Sequence, residues 1–342
     1  MTTNILSLKE QYAQMKSENP KMRIREIAKQ LQSSEAQLLA TGVGENVTRL
    51  KDDPKAILGD IIKLGKVMAL TRNDHAVHER KGVYDNLTFQ GPVGTFVNED
   101  IDLRLFMMAW AYAFAVNEND RLSIQFFDKS GEAVHKIYLT EDSDREAYHQ
   151  LVEKFRAEDQ SAGLAVTPYP APEPELKDED VDAAAFREEW MALQDTHDFF
   201  GLLQKHKVTR TQALRLAPEG MARQLDNDVT RKVFNLAVER QVPIMVFIGN
   251  RGCIQIHTGE VYKLMDAGPW FNVLDPDFNM HLNETRIASS WLVVKPSRDG
   301  LIHAIEVYDA AGELIVQLFG KRKPGIPELE SWRAIVKEVS GQ

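Results

Sequence analysis

Short apolar runs broken by Gly, Asn and Asp dominate two stretches of the chain. The runs are rich in β-branched and aromatic residues, which is typical of antiparallel strands joined by tight turns. The first stretch contains VMALTRN, HAVHERKGVY, VGTFVN, DIDLRLF, AYAFAV, LSIQFFD and AVHKIYL, and the second contains IMVFIGN, GCIQIHTGEVYKL, WFNVL, FNMHL, SSWLVVK, HAIEVYD and LIVQLFG. Helices precede both stretches. Because strands and helices do not alternate, the pattern disfavours a parallel sheet and predicts an α+β fold.

The helical region of the second stretch contains a histidine within an apolar stripe. Apolar residues recur three and four positions apart, the period of one helix face. The positions are Phe186, Trp190, Leu193, His197 and Phe200. By spacing alone His197 is either a core histidine with one hydrogen-bond partner or an imidazole facing an apolar pocket, as a single axial ligand of haem iron would be. Spacing favours the core histidine.

The two stretches repeat each other. Residues 68–106 can be laid without a gap over residues 245–283, and Asn73, Gly82, Gly91 and Pro92 fall on Asn250, Gly259, Gly268 and Pro269. Ser34 with Gln37 and Thr209 with Gln212 both have capping-box spacing, so the similarity extends into the helices. The sequence therefore predicts a tandem duplication of two similar halves, each with helices followed by a large antiparallel β-sheet.

An acidic, proline-rich segment separates the copies. Residues 158–182 hold eight acidic residues against Lys177 alone, and the segment contains PYPAPEP. Such a composition favours an extended, solvated linker. We therefore predict an N-terminal repeat over residues 1–157, a linker over 158–182 and a C-terminal repeat over 183–342. The linker carries most of the net charge of −10, and the remainder shows no basic face for nucleic acid.

The composition is that of a globular protein outside the membrane. Of its 342 residues 43% are hydrophobic and 27% charged, and no apolar run approaches the roughly 18 residues of a membrane helix. The N-terminal residues show no secretory signal, so a cytoplasmic location is expected. Cys253, the single cysteine, excludes an intramolecular disulfide and a thiolate metal cluster, and its strand-like surroundings favour a buried, small apolar role.

Alternation in DLRLF places Asp102, Arg104 and Phe106 on one face of a strand. Arg104 is then either a solvated strand arginine or a guanidinium facing a ligand, where its fixed donors could bond an anion or a small molecule at iron. Its repeat partner is His281, so the copies differ there.

Other polar residues give weaker signals. His75 and His78 would face opposite sides of a strand, so a shared metal is disfavoured and both are expected at the surface. Arg210, Lys295 and Arg322 are each ordinary surface charges unless the fold brings them together. The chain shows no nucleotide-binding glycine motif, no Ser-His-Asp or paired-carboxylate arrangement and no H-E-x-x-H.

Long segments of the chain resemble one protein family. They are LKEQYAQMKSENP, RNDHAVHE, IDLRLFMMAW, RLSIQFFD, the W-x-x-x-x-D-x-H-x-FF motif from Trp190 to Phe200, IMVFIGNRGCIQIHTG, VVKPSRDG and LFGKR. Across almost its whole length the chain is similar to the cytoplasmic haem-utilisation proteins of Gram-negative bacteria, the haemin-degrading factor or haem-transport family. That family also has two similar halves.

The resemblance implies a haem pocket. It makes His197 the proximal iron ligand, Arg104 the distal arginine, and Phe106 and Phe247 aromatic contacts of the porphyrin. Polar positions around the propionates correspond to Arg210, Lys295, Gln317 and Arg322, while His78 corresponds to a histidine of a second haem site in some relatives. Phe319 replaces a family tyrosine. The iron ligand would come from the second copy and the distal arginine from the first.

The resemblance implies two functions that the sequence leaves open. In the first, the protein binds haem as ligand and substrate and opens the macrocycle oxidatively, releasing iron, with a reductase or small reductant as electron donor. In the second, it is a haem chaperone or store that delivers haem to a separate haem oxygenase. The inner-membrane haem transporter is a further expected partner. A module without haem is the weakest alternative.

Overall fold

The computed structural model describes residues 6–323 and 325–341 and divides the chain into two compact units. Unit 1 contains the chain up to Arg72, Glu79–Pro170 and Asn250–Gln255. Unit 2 contains Asn73–His78, Ala171–Gly249 and the chain from Ile256 onward. Each unit therefore contains a six-residue segment from the other copy, an exchange that the sequence does not reveal.

The first copy folds as helices followed by strands and a closing helix. Its helices are α1 (Leu8–Glu18), α2 (Ile24–Gln30), α3 (Glu35–Ala40), α4 (Pro54–Asp60) and α5 (Arg145–Phe155). Its strands are β1 (Val47–Leu50), β2 (Gly65–Arg72), β3 (Ala76–Val83), β4 (Thr88–Gln90), β5 (Val93–Val97), β6 (Asp102–Phe106), β7 (Tyr112–Glu118), β8 (Arg121–Phe127) and β9 (Ala133–Ser143).

The second copy repeats this order. Its helices are α6 (Ala183–Met191), α7 (Asp198–His206), α8 (Arg210–Leu216), α9 (Val229–Arg240) and α10 (Glu330–Ser340). Its strands are β10 (Ala222–Leu225), β11 (Ile244–Gly249), β12 (Cys253–Gly259), β13 (Leu264–Ala267), β14 (Trp270–Leu274), β15 (Phe278–Asn283), β16 (Ser289–Ser297), β17 (Gly300–Tyr308) and β18 (Leu314–Gly320).

The strands of the described residues form two nine-stranded sheets. Their orders are β1-β7-β8-β9-β2-β3-β15-β14-β13 and β10-β16-β17-β18-β11-β12-β6-β5-β4. The predicted α+β class and antiparallel strands are confirmed, and each copy adds helices within and after its strands. The strands β1, β4 and β10, and all but the first residue of β13, were not predicted because these strands have only three or four residues.

Equivalent turns of the two copies require the same glycine. In the turn from Asp128 the backbone N of Asp128 donates to Glu132 O (2.9 Å), and Gly131 has φ 84°. In the second copy Asp309 N donates to Glu313 O (3.0 Å), and Gly312 has φ 80°. L side chains rarely adopt that backbone region, so these glycines recur for a steric reason.

Repeated asparagines hold the exchanged segments. Asn250 Nδ2 donates to the carbonyls of Arg72 (2.9 Å) and Val134 (2.8 Å) in unit 1. Asn73 Nδ2 donates to Gly249 O (3.3 Å) and Ile315 O (2.8 Å) in unit 2. Each Oδ1 accepts two backbone N–H groups of the turn that follows it. The same residue type thus hydrogen-bonds backbone groups at the start of each exchanged segment.

Cys253 is fully buried in unit 1, as predicted. Burial raises the pKa of its thiol to about 12, which leaves it an inert thiol. It lies beside a buried network in which His135 bonds Thr71 Oγ1 (2.8 Å) and Tyr84 OH (2.5 Å). Burial lowers the pKa of His135 to about 3, so the imidazole is neutral at pH 7.

The linker lacks helix and strand until Asp178, as predicted, but it makes specific contacts. In unit 1 Thr167 N donates to Lys129 O (2.7 Å), and the Tyr169 ring packs under Arg251 (3.9 Å). In unit 2 Arg215 Nη2 contacts Glu175 Oε1 (2.5 Å). These contacts attach parts of a segment whose residues are mostly exposed.

Candidate functional site

The chain leaves its helix before it reaches His197. Helix α6 ends at Met191, and α7 begins at Asp198 with His197 as its N-cap residue. Leu193 is buried, but the side chain of His197 is 85% exposed. The continuous stripe predicted through His197 and Phe200 is wrong, and so is the interpretation of His197 as a core histidine. Phe199 takes the buried position instead, while Phe200 is exposed.

Asp195 fixes the orientation of His197. Its Oδ1 accepts the backbone N–H of His197 (2.9 Å) and lies 2.6 Å from the ring Nδ1. The backbone bond, then the ring, lowers the pKa of the Asp195 carboxyl, with a further contribution from Arg322. Since Nδ1 faces a carboxylate, Nε2 is the ring nitrogen left for an external partner.

Helix α7 connects His197 to two basic residues. The ring of Phe199, two positions after His197, is buried. Lys295 Nζ lies 4.3 Å and the Arg210 guanidinium carbon 5.6 Å from the centroid of that ring. Both distances suit cation–π contact, so the cations lie over the aromatic residue that anchors the histidine loop.

These cations surround a buried glutamate. Lys295 Nζ is 2.7 Å from Glu306 Oε1, Arg210 Nη1 is 3.8 Å from Oε2, and Gln317 Nε2 donates to Oε1 at 2.8 Å. Tyr308 OH also donates to Glu306 Oε2. Lys295 is 3% exposed, so its expected role as a surface charge is wrong. The cluster places two cations around one carboxylate and so carries a net positive charge.

Electrostatic interactions keep the carboxylate of this cluster ionised. Burial alone would raise the pKa of Glu306, but Lys295 and then Arg210 hold it at about 2. Burial lowers the pKa of Lys295, and Glu306 opposes that effect. Burial and Glu306 raise the pKa of Tyr308 well above its usual value, so the phenol remains a donor. An anion that reached this cluster would find charge-assisted hydrogen-bond donors.

A half-buried aromatic pair lies on neighbouring strands of the same unit. Phe247 on β11 lies opposite Gln317 on β18. Its ring centroid is 5.0 Å from that of Phe319, the residue that replaces the family tyrosine. Only the resemblance suggested Phe247 and Gln317 as site residues, and the structure places them side by side. The hydrogen bond from Gln317 to Glu306 connects this pair to the charged cluster.

Arg322 extends the site toward the histidine loop. Its Nη2 donates to Asp299 Oδ2 (3.3 Å), and it contributes to the lowered pKa of Asp195. The adjacent Arg298 N donates to Gln194 O (3.0 Å). Lys295 and the loop before His197 are thus connected through one short turn. Arg322 contacts Asp299, whereas Arg210 and Lys295 lie over the ring of Phe199.

Unit 1 contains Arg104 and Phe106 on β6. The predicted alternation is confirmed: Leu103 and Leu105 are fully buried, whereas Phe106 is 36% exposed. Arg104 Nη1 pairs with Asp102 Oδ1 and donates to Leu103 O (3.2 Å). Burial raises the pKa of Asp102, against the effect of Arg104. The guanidinium is therefore held in place by its own strand.

His78 is not a surface residue, contrary to the prediction. Its side chain is fully buried in unit 2, and its ring lies 4.9 Å from that of Phe278. His75 is half-buried, with Nε2 3.3 Å from Asp309 Oδ2. Among the described residues no group of three or more His, Cys, Asp or Glu could hold a metal ion. A second haem at His78 remains a prediction, and it would require the buried ring to become accessible.

Sequence reasoning gave no role to Glu306, Tyr308, Phe199 or Asp195. One available signal was the repeat, in which Glu306 aligns with Gln125 and Arg210 aligns with Glu35. Unit 1 correspondingly has a different charge cluster: buried Glu35 pairs with Arg72 and Lys136. Asp195 lies in the D-x-H motif, but its hydrogen bond depends on the helix break.

The fold and the site define a protein of two tandem α+β copies, one of which combines an exposed, carboxylate-oriented imidazole with a buried basic cluster. The model of the haemin-degrading HemS.ChuX domain matches the chain twice, over residues 32–155 and 207–339. The chain belongs to this family, and the two matches confirm the duplication. Among the described residues, no helix is long and apolar enough to cross a membrane.

Relatives match over nearly the whole chain. The hemin transport protein HemS of Yersinia enterocolitica is 42% identical over 98% of both chains. The crystal structure of holo-PhuS, a heme-binding protein from Pseudomonas aeruginosa, is 49% identical with a TM-score of 0.95, covering 97% of this chain and 98% of that one. ChuS, a heme oxygenase of Escherichia coli, is 33% identical with a TM-score of 0.88, covering 98% and 99%.

Proposed function

We propose that this protein binds haem in the cytoplasm and opens the macrocycle oxidatively, releasing iron, with dioxygen and an external electron donor as co-reactants. The observation that carries the proposal is the exposed His197, whose Nδ1 lies on Asp195 while its helix packs under Lys295 and Arg210. The haem is ligand and substrate together. The similarity to ChuS, described as a heme oxygenase, supports the degradative reaction.

The residues present fit a haem. Nε2 of His197 is the available axial donor, and the same helical region exposes the apolar side chains of Phe200 and Met191. The buried cluster has one more cation than anion, which suits a propionate. Bound haem would supply the redox chemistry. Arg210, Lys295 and Gln317 would orient it, Phe247 would contact the ring, and Arg322 would reach a propionate if released from Asp299.

A non-catalytic role is the second candidate. The relatives HemS and PhuS are described as a hemin transport protein and a heme-binding protein. A chaperone or store would use the same His197 and basic cluster but would deliver intact haem to a separate haem oxygenase or receive it from the inner-membrane transporter. The two candidates therefore differ in the fate of the haem and not in the pocket.

Aerobic titration with haemin followed by a reductant separates the two candidates. We expect the Soret band to appear at one haem per chain, to decay after reductant is added, and to give an open tetrapyrrole by mass analysis with release of iron. An anaerobic sample should retain its Soret band because dioxygen is absent. Aerobic retention of the band, with transfer of intact haem to an acceptor, would establish the chaperone and eliminate the enzyme.

Arg104→Ala should weaken distal ligation more than folding. Asp102 Oδ1 and Leu103 O both contact Nη1 of Arg104, which orients the guanidinium. We propose that the rest of the guanidinium donates to a small ligand on the distal side of the haem. We expect about 10–150-fold weaker azide binding to the ferric complex, since a hydrogen bond to a charged group contributes about 1.5–3 kcal/mol. Azide titration and thermal unfolding measure the two effects.

Arg80→Ala is the matched control for this substitution. Arg80 forms a similar arginine–aspartate pair with Asp100 in the same unit, at 2.5 Å. Its removal should leave azide affinity unchanged. Equal azide affinity in wild type and Arg104→Ala would contradict the distal role of Arg104.

A further inference from the structure

We infer that Asp195 is a positioning residue that sets the tautomer of His197 and strengthens it as an iron ligand. The inference rests on the proposed function for the identity of the metal group.

Asp195 and His197 are joined by two short contacts. One oxygen of Asp195, Oδ1, lies 2.9 Å from the His197 backbone N and 2.6 Å from its ring Nδ1. The backbone N–H is a fixed donor, so it holds Oδ1 as an acceptor. The ring must then present a proton at Nδ1 to make the second bond, which leaves the Nε2 lone pair directed away from the carboxylate.

The loop that carries the carboxylate is itself held in place. Arg322 donates to Asp299 Oδ2, and its charge contributes to the lowered pKa of the Asp195 carboxyl. Arg298 N holds Gln194 O at 3.0 Å, which anchors the residue before Asp195. The loop is therefore held by a backbone contact at the residue before Asp195, in addition to the hydrogen bond from the His197 backbone N–H. Such contacts reduce the rotation that would separate an exposed aspartate from an exposed histidine.

A carboxylate in this position also changes the chemistry of the imidazole. A carboxylate that accepts a hydrogen bond from the outer nitrogen of a metal-bound imidazole fixes the ring and raises its basicity. Loss of such a partner typically lowers metal affinity about 10–100-fold. Because the side chain of His197 is 85% exposed, its contact with Asp195 Oδ1 provides the orientation of the ring.

Two substitutions separate the hydrogen bond from the charge. Asp195→Ala removes both. Asp195→Asn keeps an oxygen that the His197 backbone N–H can hold toward Nδ1, but it removes the negative charge. We therefore expect Asp195→Asn to preserve the ring tautomer and weaken only the basicity of the ligand, whereas Asp195→Ala should affect both.

The decisive measurement is ring ¹⁵N NMR of the full chain without haem. We expect the Nδ1–H tautomer at neutral His197 in wild type and Asp195→Asn, and a shift toward Nε2–H in Asp195→Ala. His303, whose Nδ1 lies 2.7 Å from Glu328, serves as the internal reference and should not change. An unchanged His197 tautomer in Asp195→Ala would overturn the inference.

The haem complex gives the second measurement. We expect haemin affinity about 10–100-fold weaker in Asp195→Ala, and a lower iron–histidine stretching frequency in both variants. Asp198→Ala removes the same charge from the first turn of α7 and should change neither value. Absence of haemin binding by wild type would refute the proposed function alone. Wild-type affinity and stretching frequency in both Asp195 variants would refute the role of Asp195.

Discussion

Substitution of His197 by alanine should abolish the spectrum of histidine-ligated haem without unfolding the protein. The side chain is 85% exposed and makes no capping hydrogen bond to α7, so stability should change by less than about 0.5 kcal/mol. Haem affinity should fall by more than about 100-fold, because loss of the ligand exceeds the cost of losing an outer partner. Haemin titration followed at the Soret band and thermal unfolding measure these two effects.

Added imidazole provides a chemical test of the same assignment. In the His197→Ala complex it should restore the wild-type Soret position, because it replaces the missing ligand without restoring any other contact. His149→Ala, which removes an exposed histidine from α5 in unit 1, should leave the titration unchanged. A wild-type spectrum and affinity in His197→Ala would contradict axial ligation by this residue.

The strands could be predicted because their signal is local. Alternation in DLRLF correctly placed Leu103 and Leu105 in the core and Arg104 on the other face. The exchange of Asn73–His78 and Asn250–Gln255 between units could not be predicted. It depends on hydrogen bonds between residues more than a hundred positions apart, and hydrophobic period carries no such information.

The position of His197 could not be predicted from period because the helix break is made by a side chain. Asp195 bonds the backbone of His197 two residues ahead, a turn that competes with helix geometry. The apolar spacing continues through the break by coincidence. Only the D-x-H motif of the family indicated that this histidine has a role outside the core.

The burial of Lys295 and His78 could not be predicted for a different reason. Lys295 follows an apolar run and resembles the exposed end of a strand, but its partner Glu306 lies on the neighbouring strand β17. His78 was expected at the surface because the aromatic ring that covers it, Phe278, is distant in sequence. A charged or polar residue is buried where the fold brings a partner to it. For Lys295 that partner lies on the neighbouring strand of the sheet.

Substitution of Glu306 by glutamine should destabilise the ligand-free protein by about 3 kcal/mol, because Lys295 and Arg210 are left buried without their carboxylate. Haem should recover part of this loss, since a propionate can supply the missing negative charge. We therefore expect a larger haem-induced rise in melting temperature in Glu306→Gln than in wild type. Thermal unfolding with and without haemin measures both quantities.

Glu35→Gln is the matched control in unit 1. Glu35 is also buried between two cations, Arg72 and Lys136, which with the smaller effect of Arg25 hold its pKa at about 2. Its loss should cost a similar amount of stability, but haem should not recover it. Equal haem-induced shifts in wild type, Glu306→Gln and Glu35→Gln would contradict a propionate site at Glu306.

The pH dependence of the loss tests its electrostatic origin. Both glutamates have a folded pKa of about 2, below the ordinary value of 4.5, so their ionised form stabilises the folded state. This contribution is complete above pH 4.5 and is lost as the pH falls toward 2. The stability difference between wild type and Glu306→Gln should therefore be constant near neutrality and shrink below pH 4.5. A difference independent of pH down to 2 would indicate that packing, and not charge, accounts for the loss.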